Sequence, residues 1–347
     1  MVEVLTRFIS THGASDVHIA SGRRPFVRVS GELMELVSEP MYQTEDVIRL
    51  LVELVGEEKA KRVVNKQEID FSFMRDSLRV RGHAFVSSGR ISIALRVVEK
   101  IKSLEELSLP PTLLALTEHK QGFFLVVGPM GQGKSTTMAA MIEYINQNRK
   151  EHIVTIENPI EYVFDSKQAV IDQREVEVDT IDFATALRAA FRQDANIIMV
   201  GEMRDQETIE TAITVAETGH LVFSTMHTNS ASQTIDRIID MFPAERQNQI
   251  RSQLASSLLG IFSQRLVPSI QGGRRPAYEL LINNAAISNL IREGRTHEVD
   301  TVLQTHRAEG MVDMATCLIE MVRGGIITVD DAMRYAPDQK ALVALLQ

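Results

Sequence analysis

The stretch of this chain with the clearest chemical potential is Gly128–Ser135, which reads GPMGQGKS and fits G-x-x-x-x-G-K-[ST] at every fixed position. Glycines in such a loop let backbone amides turn toward an anion without a Cβ in the way. Lys134 would neutralise the β- and γ-phosphates of a nucleoside triphosphate, and the Ser135 hydroxyl would help to hold Mg²⁺. The predicted nucleotide-binding residues are Gly128, Pro129, Met130, Gly131, Gln132, Gly133, Lys134, Ser135 and Thr136.

A phosphate loop needs a strand before it and a helix after it. The apolar run Phe123–Val127 precedes the loop, and the helix-forming run Thr136–Tyr144 follows it. The N-terminus of that helix would add the positive end of its dipole to the site. The alternative is a glycine turn that happens to contain Lys-Ser, and the flanking elements favour the phosphate loop.

Hydrolysis of a nucleoside triphosphate also needs a carboxylate near the metal and the attacking water. Ile197–Glu202 is a buried-strand pattern, and Glu202 at its tip is the predicted acid for catalysis and for the metal. Apolar strands often end in Glu, but the neighbouring phosphate loop favours a functional role. Glu157 and Glu161 also follow a strand, where ligands collect in open α/β sheets. Taken alone, a charged loop explains that pair better.

Two histidines and two arginines are weaker candidates. His220 and His227 flank a predicted strand and lie too far apart for a metal pair on one helix. His227 follows the strand, where it could bind the nucleotide and sense the γ-phosphate, and a structural role fits the spacing equally well. Arg81 and Arg96 lie on predicted strands of the N-terminal part; they are either plain surface arginines or residues that stabilise transition-state charge on a neighbour's nucleotide.

The composition bounds the class of protein. A chain of 347 residues exceeds one typical core, so two domains are expected. The net charge of −9 argues against a general nucleic-acid binder, which usually has a basic face. A single cysteine, Cys317, excludes disulfides within the chain and cysteine-rich zinc sites. No apolar run approaches the roughly 20 residues of a membrane span, and the N-terminus lacks a signal-peptide core, so we expect a cytoplasmic protein.

The periodicity of the chain changes after the first hundred residues. Val2–Thr11 has the spacing of an amphipathic helix, and short alternating segments then surround a helical stretch, Thr44–Lys66. This pattern indicates an α+β domain over 1–99 with antiparallel strands. Pro110-Pro111 marks a linker over 100–112.

The remainder, 113–347, alternates strands and helices as a parallel α/β sheet does. After Arg246 the pattern is mainly helical and begins with a predicted helix over Gln247–Arg265. The predicted strands are Phe123–Val127, His152–Ile156, Asn196–Val200 and Leu221–Ser224.

The order GPMGQGKST, TIENPIEY, DQREV, MVGEMRD and AETGHLVFSTMHT resembles the secretion-type ring ATPases, and most closely the branch that retracts type IV pili. Ala14–Ile19 resembles the opening motif of that family, and Ala286–Glu293 resembles its AIRNLIRE element. The resemblance covers nearly the whole chain. AETGHLVFSTMHT and GEMRD in tandem are not general features of phosphate-loop proteins.

The resemblance implies a fold and a set of roles. The fold is a PAS-like α+β domain followed by a RecA-like P-loop ATPase domain with a helical C-terminal region. Glu202 would be the Walker B glutamate, Glu161 part of an acidic box, and His220 and His227 a histidine box. The implied catalytic residues are Glu202, Glu161, Lys134, His227, Arg81 and Arg96.

The resemblance also implies partners and a place of action. The chain would form a homohexamer, hydrolyse ATP with Mg²⁺, and drive pilus retraction and twitching. Its partners would be an inner-membrane platform protein and a paralogous retraction ATPase, with no nucleic acid and no membrane span of its own. It would work at the cytoplasmic face of the inner membrane.

Three positions depart from the family pattern: Asn158 and Asn196 replace acids, and Ser288 replaces an arginine. Glu157 and Glu161 remain, so hydrolysis should survive. Within the family, an accessory retraction ATPase and an extension or secretion ATPase are the alternatives; the latter class is usually longer and often has a four-cysteine zinc site. Outside it, the alternatives are a RecA-like nucleic-acid motor and a small-molecule kinase.

Overall fold

A computed structural model of the chain describes residues 14–29, 32–75, 78–98 and 100–346, which form two compact units. The first contains the described residues up to Lys100 together with Pro159–Val163, and the second contains the remaining described residues from Ile101 on. The helix predicted for Val2–Thr11 lies outside the described residues. Each unit has its own sheet, so the mixed α/β class is confirmed.

The first unit is an antiparallel sheet of six strands in the order β3-β2-β1-β6-β5-β4, packed against helix α1, Thr44–Val64. The strands are β1 Ala14–Ala20, β2 Phe26–Val29, β3 Glu32–Glu35, β4 Ile69–Arg75, β5 Leu78–Ser87 and β6 Arg90–Val98. The helix begins with a capping box between Gln43 and Asp46 and kinks at Gly56, where φ is 81°. Its buried Val47 and Leu50 pack with Val17 and Leu95 of the sheet.

The second unit contains a seven-stranded sheet in the order β13-β12-β7-β11-β10-β8-β9. All neighbours pair in parallel except β12 and β13, which form an antiparallel hairpin at one edge. The strands are β7 Gly122–Val127, β8 His152–Glu157, β9 Val170–Glu175, β10 Ile197–Val200, β11 Leu221–Met226, β12 Leu258–Pro268 and β13 Arg274–Ile282. Strands β7, β10 and β11 are buried along their whole length, as expected for a parallel sheet covered on both faces.

Helices cover this sheet and form the C-terminal region. Those interleaved with the strands are α2 Thr112–Thr117, α3 Lys134–Asn148, α4 Phe183–Ala190, α5 Gln206–Glu217, α6 Ala231–Asp240 and α7 Ala244–Ser257. Those that follow β13 are α8 Ala285–Glu293, α9 Val299–Thr305, α10 Met314–Arg323, α11 Val329–Tyr335 and α12 Gln339–Leu346. Within the described residues, none of them combines the length and apolar character needed to cross a bilayer.

The helix predicted over Gln247–Arg265 is partly wrong. The helix α7 ends at Ser257, and the chain continues as strand β12 paired to β7 and β13. The apolar residues of this segment fit a helical period, but a strand buried on both faces has a continuous apolar run that periodicity cannot distinguish from a helix. The close pairing of β12 with β13 requires glycine at position 260, because a Cβ there would lie 2.5 Å from the Leu281 carbonyl oxygen.

Candidate nucleotide-binding site

The predicted phosphate loop joins the buried strand β7 to α3, as its sequence requires. Gly128, Gly131 and Gly133 have φ values of 148°, 73° and 82°, which other residues rarely adopt. A Cβ on Gly128 would lie 2.5 Å from the Gln264 carbonyl oxygen, and one on Gly133 would lie 2.8 Å from Gln264 Nε2. All three glycines therefore permit the backbone conformation of the loop, and Gly128 and Gly133 also permit its close packing against Gln264.

Around this turn the other loop residues take different positions. Met130 is 84% exposed at the loop tip, and Ser135 and Thr136 lie half-buried in the first turn of α3. The first amides of a helix have no partner within the helix and face an anion placed before it. A Cβ on the exposed Gly131 would meet no other atom within 4 Å, so the loop is open to solvent at this residue. The loop, the helix start and the Ser135 hydroxyl fit a nucleotide phosphate and its metal ion.

Lys134 is held against the loop that it is predicted to serve. Its side chain is buried, and Nζ donates hydrogen bonds to the Gly128 and Pro129 carbonyl oxygens at 2.8 and 2.9 Å. Nζ also lies 3.3 Å from His227 Nδ1. A buried ammonium that bonds to carbonyl oxygens of its own loop is positioned to exchange these acceptors for phosphate oxygens.

Glu202 joins this group from the neighbouring strand. It follows β10, and its two carboxylate oxygens lie 2.7 Å from Arg204 Nη2 and 3.4 Å from His227 Nε2. Because β7, β11 and β10 are adjacent and parallel, their carboxyl ends meet at one edge of the sheet. The structure thus brings Lys134, His227 and Glu202 into one chain of contacts, with the imidazole in the middle.

His220 does not join them. It precedes β11, and its backbone carbonyl accepts a hydrogen bond from the amide of Gly122 at the start of β7. Its ring packs edge-on against Phe191, with Nδ1 3.2 Å from the Val215 carbonyl oxygen. The two histidines of the predicted box therefore lie at opposite ends of β11. Of the two, only His227 lies at the carboxyl ends of the strands, where the phosphate loop is.

The acidic segment after β8 divides between the two units. Glu157 is buried at the end of β8, where Oε1 accepts hydrogen bonds from Thr155 Oγ1 at 2.8 Å and Gln173 Nε2 at 3.1 Å. A Cβ on Gly201 would lie 3.5 Å from the Glu157 Cα, so this acid is a neighbour of the Glu202 strand end. Asn158 is exposed, and Glu161 belongs to the first unit.

In the first unit, Arg81 and Arg96 are direct cross-strand neighbours on β5 and β6. Like charges placed opposite each other destabilise a sheet, but each arginine here has an acid: Arg81 Nη1 donates to Glu161 at 2.9 Å, and Arg96 Nε donates to Asp16 at 2.7 Å. Burial alone would raise the pKa of Asp16, but the hydrogen bonds from Arg96 and Ser15 outweigh it and hold that pKa below its usual value.

Two of the residues that depart from the family pattern, Asn196 and Ser288, form hydrogen bonds in the structure. The Asn196 Oδ1 accepts a hydrogen bond from the His152 amide at 2.8 Å, which fastens the start of β10 to β8. The Ser288 Oγ donates to the Ala255 carbonyl oxygen at 2.9 Å and joins α8 to α7. Both residues therefore stabilise packing at their positions.

Three residues that shape the site were assigned no role from the sequence. Arg204 pairs with Glu202, and Gln264 and Thr137 hold the loop through buried side-chain hydrogen bonds. The predicted helix placed Gln264 on the wrong type of element. Only the pairing of β12 with β7 brings it to the loop.

A buried glutamate lies behind the His227 loop. Glu279 on β13 accepts a hydrogen bond from the Ala231 amide at 2.7 Å, at the start of α6. Burial is the main cause that raises the pKa of Glu279 to about 7; the charges of Asp300 and Asp313 act in the same direction, while the Ala231 amide and Arg265 oppose the shift. Its carboxyl group is consequently half-protonated near neutral pH in the folded protein.

We expect Glu279→Gln to reduce the pH dependence of stability. The folded state holds this proton more tightly than the unfolded chain, so ionisation of Glu279 lowers the free energy of unfolding as pH rises from about 4.5 to about 7. The loss is up to about 3 kcal/mol. Chemical denaturation of both proteins from pH 5 to 8 measures it, with the exposed Glu118→Gln as the control. Parallel pH curves for wild type and Glu279→Gln would contradict this origin.

Comparison with known proteins agrees with this geometry. A model of the family described as "Type II/IV secretion system protein" matches residues 2–334. The type IV pilus retraction ATPase PilT of Pseudomonas aeruginosa is 41% identical over 334 residues, 96% of this chain and 97% of PilT. The type IV pilus ATPase PilU of the same organism is 36% identical over 348 residues, 99% of this chain and 91% of PilU.

The fold of this chain also matches that of a solved structure. The crystal structure of the pilus retraction motor PilT with bound ADP matches with a TM-score of 0.92 and 45% identity, and the match covers 99% of both chains. The resemblance drawn from the sequence motifs is thereby confirmed. The chain belongs to the type II/IV secretion system protein family.

Proposed function

We propose that this protein is an ATP-hydrolysing motor that powers the retraction of type IV pili. The observation that carries the enzymatic part is the contact chain of Lys134, His227 and Glu202 at the carboxyl edge of the sheet. The mechanical part is supported by near full-length similarity to PilT, which is named as a pilus retraction ATPase and motor.

The phosphate loop binds the nucleotide, and each loop residue has a role in this proposal. The glycines and Gln132 shape the backbone around the phosphates, with Pro129, Met130 and Thr136 at its borders. Phosphate oxygens replace the loop carbonyls as acceptors for Lys134. The Ser135 hydroxyl and Glu202 would hold Mg²⁺, which would supply positive charge to the phosphates.

Glu202, which follows β10, is the proposed acid for the hydrolytic step. Glu202 orients the attacking water and accepts its proton, which requires a carboxylate within reach of the reacting atoms. His227 lies between Glu202 and Lys134, so a change at the phosphates reaches the acid through one side chain. His227 is therefore our candidate sensor of the γ-phosphate. Glu161 is the second candidate acid.

We further propose that residues 1–99 form a PAS-like domain, 100–112 a linker and 113–347 a RecA-like ATPase domain, and that the chain acts as a homohexamer. The division of the chain into two units after Lys100 supports the end of the first domain, although Pro159–Val163 also belongs to the first unit. Arg81 and Arg96 would reach a nucleotide across a subunit boundary. Their side chains are 37% and 75% exposed, which leaves part of each guanidinium accessible to such a ligand.

Arg81→Ala and Arg96→Ala should each lower ATP turnover at least about tenfold, because a transition-state charge loses its cation. Glu161 or Asp16 then loses an ion-pair partner, so thermal unfolding of each variant must be compared with wild type. If the arginines act across subunits, mixing either variant with Lys134→Ala should restore some activity at mixed interfaces. No recovery at any ratio, with subunit exchange verified, would count against shared sites.

The proposed setting is the cytoplasmic face of the inner membrane, where the ring would act on a pilus platform protein and alongside a paralogous retraction ATPase. The similarity to PilU over 99% of the chain supports a second candidate function, that of the accessory retraction ATPase itself. Deletion of this gene in cells that keep the paralogue would distinguish the two roles. Loss of pilus retraction in these cells would indicate the main motor, and continued retraction would indicate the accessory ATPase.

A phosphate-release assay tests the proposed enzymatic class. The purified full-length protein should hydrolyse ATP in a Mg²⁺-dependent manner, and single-stranded DNA should leave the rate unchanged. Marked stimulation by DNA would instead favour a nucleic-acid motor. Absence of hydrolysis, with ATP bound to a folded protein, would contradict the ATPase assignment.

A further inference from the structure

Gln264 is a buried amide that bridges the phosphate loop and the helix that follows it. It lies on β12 and is 3% exposed. Its Nε2 donates to the Gln132 carbonyl oxygen at 2.7 Å, and its Oε1 accepts from Thr137 Oγ1 at 2.6 Å. Gln132 belongs to the loop and Thr137 to the first turn of α3, so one side chain fixes the two parts of the site relative to each other.

The backbone around Gln264 adds two more constraints. Its carbonyl oxygen packs under Gly128, where a Cβ would approach to 2.5 Å. The amide of Leu266 donates to Gln132 Oε1 at 2.6 Å. Strand β12 therefore contacts the loop at its first residue and, through Gln132, in its second half.

The neighbours of Gln264 hold the other loop of the site. Ser263 Oγ donates to the Asn229 carbonyl oxygen at 2.9 Å, and Arg265 Nη2 donates to Asn229 Oδ1 at 2.8 Å. Asn229 comes two residues after His227. Three successive residues of β12 thus fasten both loops whose side chains, Lys134 and His227, approach to 3.3 Å.

We propose that Gln264 is a positioning residue for nucleotide binding, and that the β12 tripeptide Ser263-Gln264-Arg265 sets the phosphate loop and the His227 loop in register. The inference rests on the proposed nucleotide site and deepens it. The division of labour follows from the contacts: Gln264 holds the loop that binds phosphates, and Ser263 holds only the loop that carries the sensor.

The chemistry of an amide explains why glutamine is needed. It donates to one partner and accepts from the other through two atoms of one rigid group. In Gln264→Glu the shape is kept and the Thr137 hydroxyl still has an acceptor, but a carboxylate oxygen faces the Gln132 carbonyl oxygen. In Thr137→Val only the second bond is lost. The two variants separate the loop contact from the helix contact.

Isothermal titration with ADP, combined with steady-state kinetics, tests the proposal. Gln264→Glu should weaken ADP binding about tenfold or more, because the Gln132 carbonyl loses its donor and then faces a carboxylate oxygen. Thr137→Val should weaken it in the same direction and less. Ser263→Ala should leave the ADP affinity within about twofold and lower kcat severalfold, because it alters only the His227 loop.

The control is Thr117→Val, which removes a buried hydroxyl that donates to the Leu114 carbonyl oxygen in α2, away from the loop. A merely structural role for Gln264 would lower the melting temperature while leaving the ADP dissociation constant of the folded fraction unchanged, and that result would overturn the proposal. Should Gln264→Glu not fold, an unchanged ADP affinity in folded Thr137→Val would overturn it equally. Failure of wild type to bind ADP would instead reject the nucleotide site itself.

Discussion

Lys134→Ala should reduce ATP hydrolysis by at least about 10²-fold, the scale seen when a preorganised group that stabilises developing charge is removed. Nucleotide binding should also weaken, because the β- and γ-phosphates lose a charge-assisted donor. A change in loop structure should add to the loss of binding and hydrolysis. Lys134 Nζ donates hydrogen bonds to the Gly128 and Pro129 carbonyl oxygens, and both bonds are lost in the alanine variant.

Phosphate release and ADP titration on the purified protein measure both effects. Lys150→Ala provides the control, since this lysine is exposed just beyond the end of α3. Thermal unfolding of the variant shows whether the fold is kept. If folded Lys134→Ala hydrolyses ATP at a rate close to that of wild type, the phosphate loop is not part of the active site.

Glu202→Gln should bind ATP with near-normal affinity and lose turnover by about 10² to 10⁴-fold, the range of general acid–base catalysis. The carboxamide keeps the size of the side chain and can still accept from Arg204, which lies 2.7 Å from the carboxylate. It cannot accept a proton from water or place a negative charge beside the metal. Binding and hydrolysis should therefore separate in this variant.

The same assays test this separation, with the exposed Glu118→Gln as the control. Near-normal turnover in Glu202→Gln would move the base role to another acid. Glu161 and Glu157 are the candidates, and the corresponding glutamine variants of each would decide between them. Loss of ATP binding in Glu202→Gln would show a role in binding instead of chemistry.

The sequence was sufficient for the parts of the fold that local rules control. The phosphate loop, the four central strands and α1 lie where the glycines and apolar periodicity predict them. Glu202 and His227 reach the site because parallel strands deliver their carboxyl ends to one edge. Both follow from strand order and direction alone.

Contacts between residues that are far apart in the sequence could not be predicted from local patterns. Gln264 bonds Thr137 across 127 positions and Gln132 across 132, and no local pattern encodes such pairs. Arg81 and Glu161 were each predicted to serve the nucleotide, and the structure pairs them with each other across 80 positions. The strand β12 was missed because a doubly buried strand has no period of its own.

The most direct test of pilus retraction is observation of single pili on cells that lack this protein. We expect the cells to remain piliated, at least as heavily as wild type, while their pili no longer shorten and the cells no longer twitch. The wild-type gene should restore both, and the Lys134→Ala gene should restore neither. Bald cells that regain pili on complementation would contradict a retraction motor and identify an extension motor in its place.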